Sequence, residues 1–280
     1  MNVFTSKTKL VEFLEQKRFE YENIGFVPTM GSLHQGHLSL IQESKKRTKL
    51  TVCSIYINPT QFNVKSDLEN YPKNTDRDLE LLTAENCDVC FLPSTNDIYP
   101  KGIANLLKIN LDGLDKRMEG KHRPGHFDGV VTVVNNLFEI VNPDFAFFGE
   151  KDFQQLAIIR KMTQVLNLPT EIIGCPIIRE PDGLAMSSRN ERLTHQERLA
   201  APFIHSTLLA AKELDGSIQK KRDLILEQFT KHPLFNLDYF DVASENTLNT
   251  HSKEPSTTPR AFIAAFLGKV RLIDNIPLNN

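Results

Sequence analysis

The sequence predicts an α/β fold: a Rossmann-like doubly wound parallel sheet followed by a smaller α+β C-terminal domain. Short β-rich apolar runs alternate with helix-period segments through the first two-thirds of the chain, which is the order of strands joined by crossover helices. A glycine turn at Gly31 joins the apolar run Ile24, Phe26 and Val27 to an amphipathic segment carrying Leu38 and Ile41, the strand, turn and helix of a doubly wound sheet. After Pro176 the pattern changes to helices followed by neighbouring strands, as in an α+β unit. The expected division is therefore 1–176 for the sheet domain and 177–280 for the smaller one.

Each element follows from local pattern. A strand is expected at 24–28, with its helix next, and a second strand at 50–57 (LTVCSIYI) ending before Asn58 and Pro59. A helix with Leu79 and Leu82 begins near Thr75, whose hydroxyl with Asp78 three residues later fits a capping box. Residues 88–92 form a strand, and after a long loop Val130, Val133, Val134, Leu137, Phe138 and Val141 recur at helical spacing. A strand at 144–148, a helix opening at Asp152, and a last strand near 170–174 complete the sheet domain. Beyond the loop 179–192, helices are expected at about 195–214 and 217–230, and strands around 238–243, 260–267 and 270–273. Residues 246–259 (NTLNTHSKEPSTTP) are polar and contain proline, as an exposed loop does. No internal repeat is present.

Composition excludes several classes. Hydrophobic residues are 40% and charged residues 24% of 280, ordinary for a chain that buries a core. Lys and Arg number 33 against 35 Asp and Glu, a formal net charge of −2, so no global positive field recruits nucleic acid. No apolar run reaches the roughly eighteen residues of a membrane span, and the start MNVFTSKTKL lacks a signal-peptide core; a cytoplasmic location with no membrane partner is the expectation. Cys53, Cys87, Cys90 and Cys175 are too sparse for a disulfide scaffold. Cys87 and Cys90 form a CxxC, which can be redox-active or half of a zinc site. With no second CxxC and Cys90 inside the run VCFL, structural burial is the expectation.

Four polar clusters carry chemistry. PTMGSLHQGHLSLI, residues 28–41, sets His34 and His37 three apart around Gly36. A strand, turn and helix of this kind offers free backbone N–H groups and a positive helix end to phosphate. Both imidazoles can then donate to its oxygens, and Gly36 leaves room for a flat base. Asn58, Pro59, Thr60, Gln61 and Phe62 place two amides after the second strand, suited to a small hydroxy acid or carboxylate, or simply a solvated turn. In FGEKDFQQL, residues 148–156, Gly149 turns the chain, Lys151 supplies a cation, Asp152 caps a helix and Gln155 lies one turn in; this suits a phosphate, although a solvated lysine beside a plain cap has the same residues. REPDGLAMSSRN, residues 179–190, is turn-rich and brings two hydroxyls and the Arg189 guanidinium, fit to close over a triphosphate or to link two domains.

The HxGH turn with a distant Met-Ser-Ser-Arg loop resembles the paired signatures of the class I aminoacyl-tRNA synthetase and HxGH nucleotidyltransferase superfamily. Within it, PTMGSLHQGHLSLI, NPTQF, RPGHFDGVVTVV, FFGEKDFQQL and DGLAMSSRN look like the pantoate–β-alanine ligase family, in the family's order from Val27 to Leu193. Ser32 and Gln35 stand where alanine and glutamate are frequent. The resemblance implies an HxGH nucleotidyltransferase fold and a two-step ligation: pantoate and ATP give pantoyl adenylate and pyrophosphate, then β-alanine gives pantothenate and AMP. It implies that Met30, Gly31, Ser32, Leu33, His34, Gln35, Gly36 and His37 line ATP, with His37 as proton donor. It puts Gly149, Glu150, Lys151 and Asp152 on the nucleotide, with Lys151 on phosphate and Asp152 near the ribose. Ile178, Met186, Ser187, Ser188 and Arg189 complete that site, the last four as a mobile loop. Gln61 and Gln155 hold pantoate, with Asn58 beside them, and His34, His37, Lys151 and Arg189 carry catalysis. Arg123 and His126 match a tract near the site without an assigned role. Mg²⁺ and homodimerisation are implied too; the metal's ligands are not, although Asp76 and Asp78 are possible outer ones.

Adenylation itself calls for preplaced donors rather than a nucleophilic side chain, which is the inventory found. A sister nucleotidyltransferase acting on a phosphorylated substrate would need further cations where NPTQF offers amides. A tRNA-charging enzyme is disfavoured by near-neutral charge and the lack of a basic, aromatic-studded RNA domain. A noncatalytic nucleotide-binding regulator is the third reading.

Overall fold

A computed structural model describes residues 1–250 and 258–279. In chain order the elements are β1 (Asn2–Phe4), α1 (Lys7–Arg18), β2 (Ile24–Thr29), α2 (Gln35–Arg47), β3 (Leu50–Ile55), α3 (Lys65–Glu69), α4 (Thr75–Ala84), β4 (Val89–Phe91), α5 (Thr95–Ile98), α6 (Met118–His122), α7 (His126–Val141), β5 (Phe145–Gly149), α8 (Phe153–Val165) and β6 (Glu171–Cys175). After these come α9 (His195–Ala200), α10 (Phe203–Glu213), α11 (Ile218–Lys231), β7 (Phe235–Ser244), β8 (Pro259–Leu267) and β9 (Val270–Pro277), with short 3-10 turns at Pro59–Gln61, Leu114–Lys116, Glu150–Asp152 and Ser188–Arg192. The chain divides into two compact units, Met1–Glu150 with Gln155–Pro176, and Lys151–Gln154 with Ile177–Asn280.

The first unit is a six-stranded parallel sheet of order β1-β4-β3-β2-β5-β6. From β2 the chain winds outward through β3 and β4, then returns to add β5 and β6 on the other side of β2. Right-handed crossovers in opposite directions place helices on opposite faces, and the reversal between β2 and β5 is the switch point beyond whose strand ends ligands gather. The central strands are buried almost throughout, as both-face coverage requires. Val27, Cys53 and Cys90 stand side by side across β2, β3 and β4 and pack with Leu40, Ile41 and Leu82 of α2 and α4. The next residue round the pleat, Phe26, meets Phe138 of α7 edge-on at 6.2 Å.

The second unit is an antiparallel sheet, β7-β8-β9, covered by α10 and α11 through Leu208, Ile225, Phe229, Phe240, Ile263 and Leu272. The observed strands are longer than expected at β7 and β9, which extend to residues 235 and 277. The single helix expected over 195–214 is two, because Pro202 has no N–H to give Arg198 and starts α10 instead. The polar loop expected at 246–259 falls partly on residues 251–257, outside the described residues.

One further local expectation is corrected, and two elements are added to those expected. The start of α4 is capped by Asn74, whose side chain accepts from Arg77 N at 3.2 Å, and not by a Thr75–Asp78 box. Asp78 is turned inward to another task. The N-terminal β1 and α1 leave no pattern in the sequence: β1 has three residues, and only Leu10 and Leu14 of α1 are buried, too few to print a stripe.

Candidate active site

In the first unit the site grows from the end of β2. The Thr29 hydroxyl donates to the Ser54 carbonyl of β3 at 2.8 Å and accepts from Gly31 N at 3.2 Å, starting the turn. Gly31 has φ +80° and Ser32 +50°, left-handed values that favour glycine in the first position. The strained pair is held by Asp78 of α4, which is 1% exposed and whose carboxylate accepts from Ser32 N at 2.8 Å and Leu33 N at 2.7 Å. A carboxylate receiving two buried amides is a strong anchor.

His34 is the N-cap of α2. Its Nδ1 accepts from Gly36 N at 3.1 Å, while Nδ1 of His37 accepts from His34 N at 3.3 Å, so the two histidines form a capping box. The rings lie 4.1 Å apart. With Nδ1 accepting in each, the neutral rings carry their proton on Nε2. Both imidazoles are thus fixed as Nε2–H donors at a helix N-terminus, where the dipole already favours an anion. Lys45, Lys46 and Arg47 in the last turn complement the other end.

The NPTQ segment is a 3-10 turn built around Asn58. Its buried Oδ1 accepts from Tyr99 Oη at 2.7 Å and Thr60 Oγ1 at 2.9 Å, and its Nδ2 donates to Gln61 Oε1 at 3.1 Å and the Gly129 carbonyl at 3.1 Å. Every polar position of this amide is spoken for, and one of its bonds holds the Gln61 side chain. Burial pushes the Tyr99 hydroxyl up to about 12, which keeps it a neutral donor. Gln61 Nε2 donates to Met30 Sδ at 2.8 Å, joining this turn to the HxGH turn. Arg123 and His126 acquire a task as well: both reach the Gln61 carbonyl, at 3.1 and 2.7 Å, from α6 and α7. A cavity of about 280 Å³ lined by Met30, Ser32, Tyr56, Asn74 and Asp78 opens beside the turn at the strand ends.

β5 ends at Gly149, and Gln155 is half-buried on the first turn of α8. In the second unit, Lys151 and Asp152 belong to a 3-10 turn, with ammonium and carboxylate 3.6 Å apart; α8 begins one residue after Asp152. Ile178 and Met186 are backbone partners, Met186 N donating to the Ile178 carbonyl at 3.0 Å. The loop then enters a 3-10 turn whose cap is Ser187, accepting from Arg189 N at 3.3 Å.

The cysteines stay structural. All four are free and buried, and burial pushes Cys87 up to about 11 and Cys90 to about 12, where thiols are inert. Among the described residues no group of three His, Cys, Asp or Glu could hold a metal ion, and no helix is long and apolar enough to cross a membrane.

A doubly wound parallel sheet with two donor imidazoles at its switch point defines a nucleotide-binding α/β protein. The comparisons narrow that class. A family model described as pantoate-beta-alanine ligase matches residues 2–277. A pantothenate synthetase of Christiangramia forsetii is 47% identical over 284 residues, covering 100% of both chains. The crystal structure of pantothenate synthetase from Thermus thermophilus has a TM-score of 0.93 at 37% identity, with 100% of each chain covered. That of pantoate-beta-alanine ligase from Francisella tularensis, complexed with beta-gamma ATP and β-alanine, has a TM-score of 0.84 at 34% identity, covering 100% of this chain and 98% of that one. The chain belongs to the pantoate–β-alanine ligase family.

Proposed function

We propose that the chain joins pantoate to β-alanine at the expense of ATP, forming pantothenate, AMP and pyrophosphate through pantoyl adenylate. The observation that carries this reading is the His34–His37 capping box, which presents two Nε2–H donors at the end of β2. In the first step a pantoate carboxylate oxygen attacks the α-phosphorus and the bond to the β-phosphate oxygen breaks, releasing pyrophosphate. In the second, the free amine of β-alanine attacks the acyl carbon, loses its proton to solvent, and AMP leaves.

Charge grows on the phosphates during the first step, so fixed donors lower its barrier without reorganising. His34 and His37 serve the phosphates, His37 as proton donor; the residues Met30 to Leu33, Gln35 and Gly36 supply the turn's backbone. Lys151, Ser187, Ser188 and Arg189 serve the same triphosphate, Asp152 the ribose, and Gly149, Glu150, Ile178 and Met186 the rest of the nucleotide. Gln61 and Gln155 hold pantoate, and Asn58, Arg123 and His126 are positioning residues for Gln61.

Mg²⁺ is assigned as the companion of ATP. When bound with ATP, such a hard cation would supply charge compensation for the phosphates, with few protein ligands. The donor set fits that sparse use of protein ligands: Asp78 is committed to two backbone amides, which leaves exposed Asp76 for an outer contact. Family membership also supports a homodimer in the cytoplasm.

The test is AMP release measured with each substrate omitted in turn. Sustained turnover is expected only with ATP, pantoate and β-alanine together; AMP release indifferent to both acids would sink the reading.

A further inference from the structure

No motif marks the last strand, yet its adjacent polar residues Asp274 and Asn275 are 4% and 1% exposed. Burial of two such groups requires specific partners, and the partners are informative. Asn275 Nδ2 donates to the Lys151 carbonyl at 3.0 Å, across 124 positions of sequence. Its Oδ1 accepts from Arg260 at 2.6 Å, and the Arg260 guanidinium lies 4.3 Å from the centre of the Phe153 ring, two residues beyond Lys151. The Lys151 turn is therefore held from β8 and β9 at two points.

Asp274 holds the other segment. Its carboxylate receives both terminal nitrogens of Arg179, at 2.7 and 2.9 Å, and Asn275 N at 2.8 Å. Arg179 pairs with Ala185 across an isolated β-bridge and donates to the Gly183 carbonyl at 3.1 Å, so it closes the base of the loop that continues into Met186 to Arg189. The 3-10 turn of residues 188–192 packs on β9 as well.

We propose that Asp274 and Asn275 are positioning residues, which hold the Lys151 turn and the base of the 186–189 loop in one fixed register for ATP. Adjacent residues on a strand sit a set distance apart, so anchoring the two segments to neighbours fixes the spacing between a phosphate-directed ammonium and a phosphate-directed guanidinium. A bidentate arginine pair and a buried amide suit this because both are geometrically demanding. The inference rests on the reading of Lys151 and Arg189 as ATP contacts.

Asn275→Asp is the decisive variant in the full chain: it keeps an acceptor for Arg260 but replaces the N–H given to Lys151 by an acceptor oxygen and adds a charge beside Asp274, so the hold on the Lys151 carbonyl is lost. It is expected to lower kcat/KM for ATP on the order of five- to tenfold, the range of one buried hydrogen bond, with KM for pantoate and β-alanine near wild type. Added to Lys151→Ala it should cost nothing more, because the side chain it aims is gone. Asp274→Asn is expected to show the same ATP-selective loss, masked by Arg189→Ala; should it fold poorly, Asn275→Asp carries the test. Unchanged ATP kinetics in folded Asn275→Asp, equal losses toward all three substrates, or additivity with Lys151→Ala would overturn the proposal. An ineffective Lys151→Ala overturns it too, and identifies the assignment of Lys151 to ATP as the failing step.

Discussion

Asp78→Asn tests what holds the HxGH turn in place. In the wild type each carboxylate oxygen accepts one buried amide, from Leu33 at 2.7 Å and Ser32 at 2.8 Å. Asparagine offers a single acceptor, so one N–H loses its partner and meets an NH₂ group instead, at a cost of about 1–3 kcal/mol, while the surviving bond drops from a charged to a neutral one, about 1 kcal/mol more. Burying a neutral amide costs less than burying a carboxylate, which returns part of this; the net is about 2–3 kcal/mol. Expressed as stability, that lowers a urea midpoint by about 1 M at a slope of roughly 2–3 kcal/mol/M. Any part that appears as misaligned donors slows adenylation instead, about tenfold for each 1.4 kcal/mol. Urea titration by circular dichroism and pyrophosphate release should therefore share the loss between them. Exposed Glu80→Gln on the same helix is the control, expected within about 0.5 kcal/mol of wild type. Wild-type values in both assays for Asp78→Asn would show that the two amides need no anion.

Three other outcomes are expected. His37→Ala should fold and lose on the order of 10²- to 10³-fold in adenylation, the range for removing one anion-stabilising donor; unchanged turnover would remove its role. In Gly129→Ala the new Cβ would lie 2.5 Å from the Thr60 carbonyl oxygen and 2.7 Å from its carbon, so overpacking of about 1–3 kcal/mol outweighs a helix-propensity gain of about 1 kcal/mol. The displaced NPTQ turn should raise KM for pantoate more than KM for ATP, and a proportional change in both would argue against Gln61 as the pantoate contact. Burial, with the Arg179 charge nearby, holds His205 below its ordinary 6.5. The unfolded state then takes up the proton first, so this group's contribution is intact above 6.5 and declines as pH falls below it. Melting curves over about pH 5 to 8 should show a gentler acid slope in His205→Gln; an identical slope would assign the dependence elsewhere.

Much of this was written locally. Buried parallel strands such as IGFVPT and LTVCSI are short apolar runs, and their alternation with helices implies parallel pairing, whereas the strand order with its reversal at β2 shows only in the fold. His34, Gly36 and His37 lie within one turn, so their joint geometry shows in three letters of spacing. What stayed hidden acts at long range or through the main chain. Arg123 and His126 grip a backbone carbonyl more than sixty positions away, and Asn275 another 124 positions away; a main-chain acceptor has no identity to read. Asp78 misled for a related reason: three residues after a threonine it spells a cap, but Asn74 caps the helix and frees the carboxylate for Ser32 and Leu33. Pro202 could have been read as the break in the 195–214 helix, and β1 is too short to show a period.

Pantoate-dependent exchange of labelled pyrophosphate into ATP, in the absence of β-alanine, probes the adenylation step alone. Exchange should be robust with pantoate, absent without it, and reduced in His37→Ala to the same degree as overall turnover. Exchange that proceeds without pantoate, or pantothenate formation with no exchange under any condition, would contradict an adenylate formed beside the paired imidazoles.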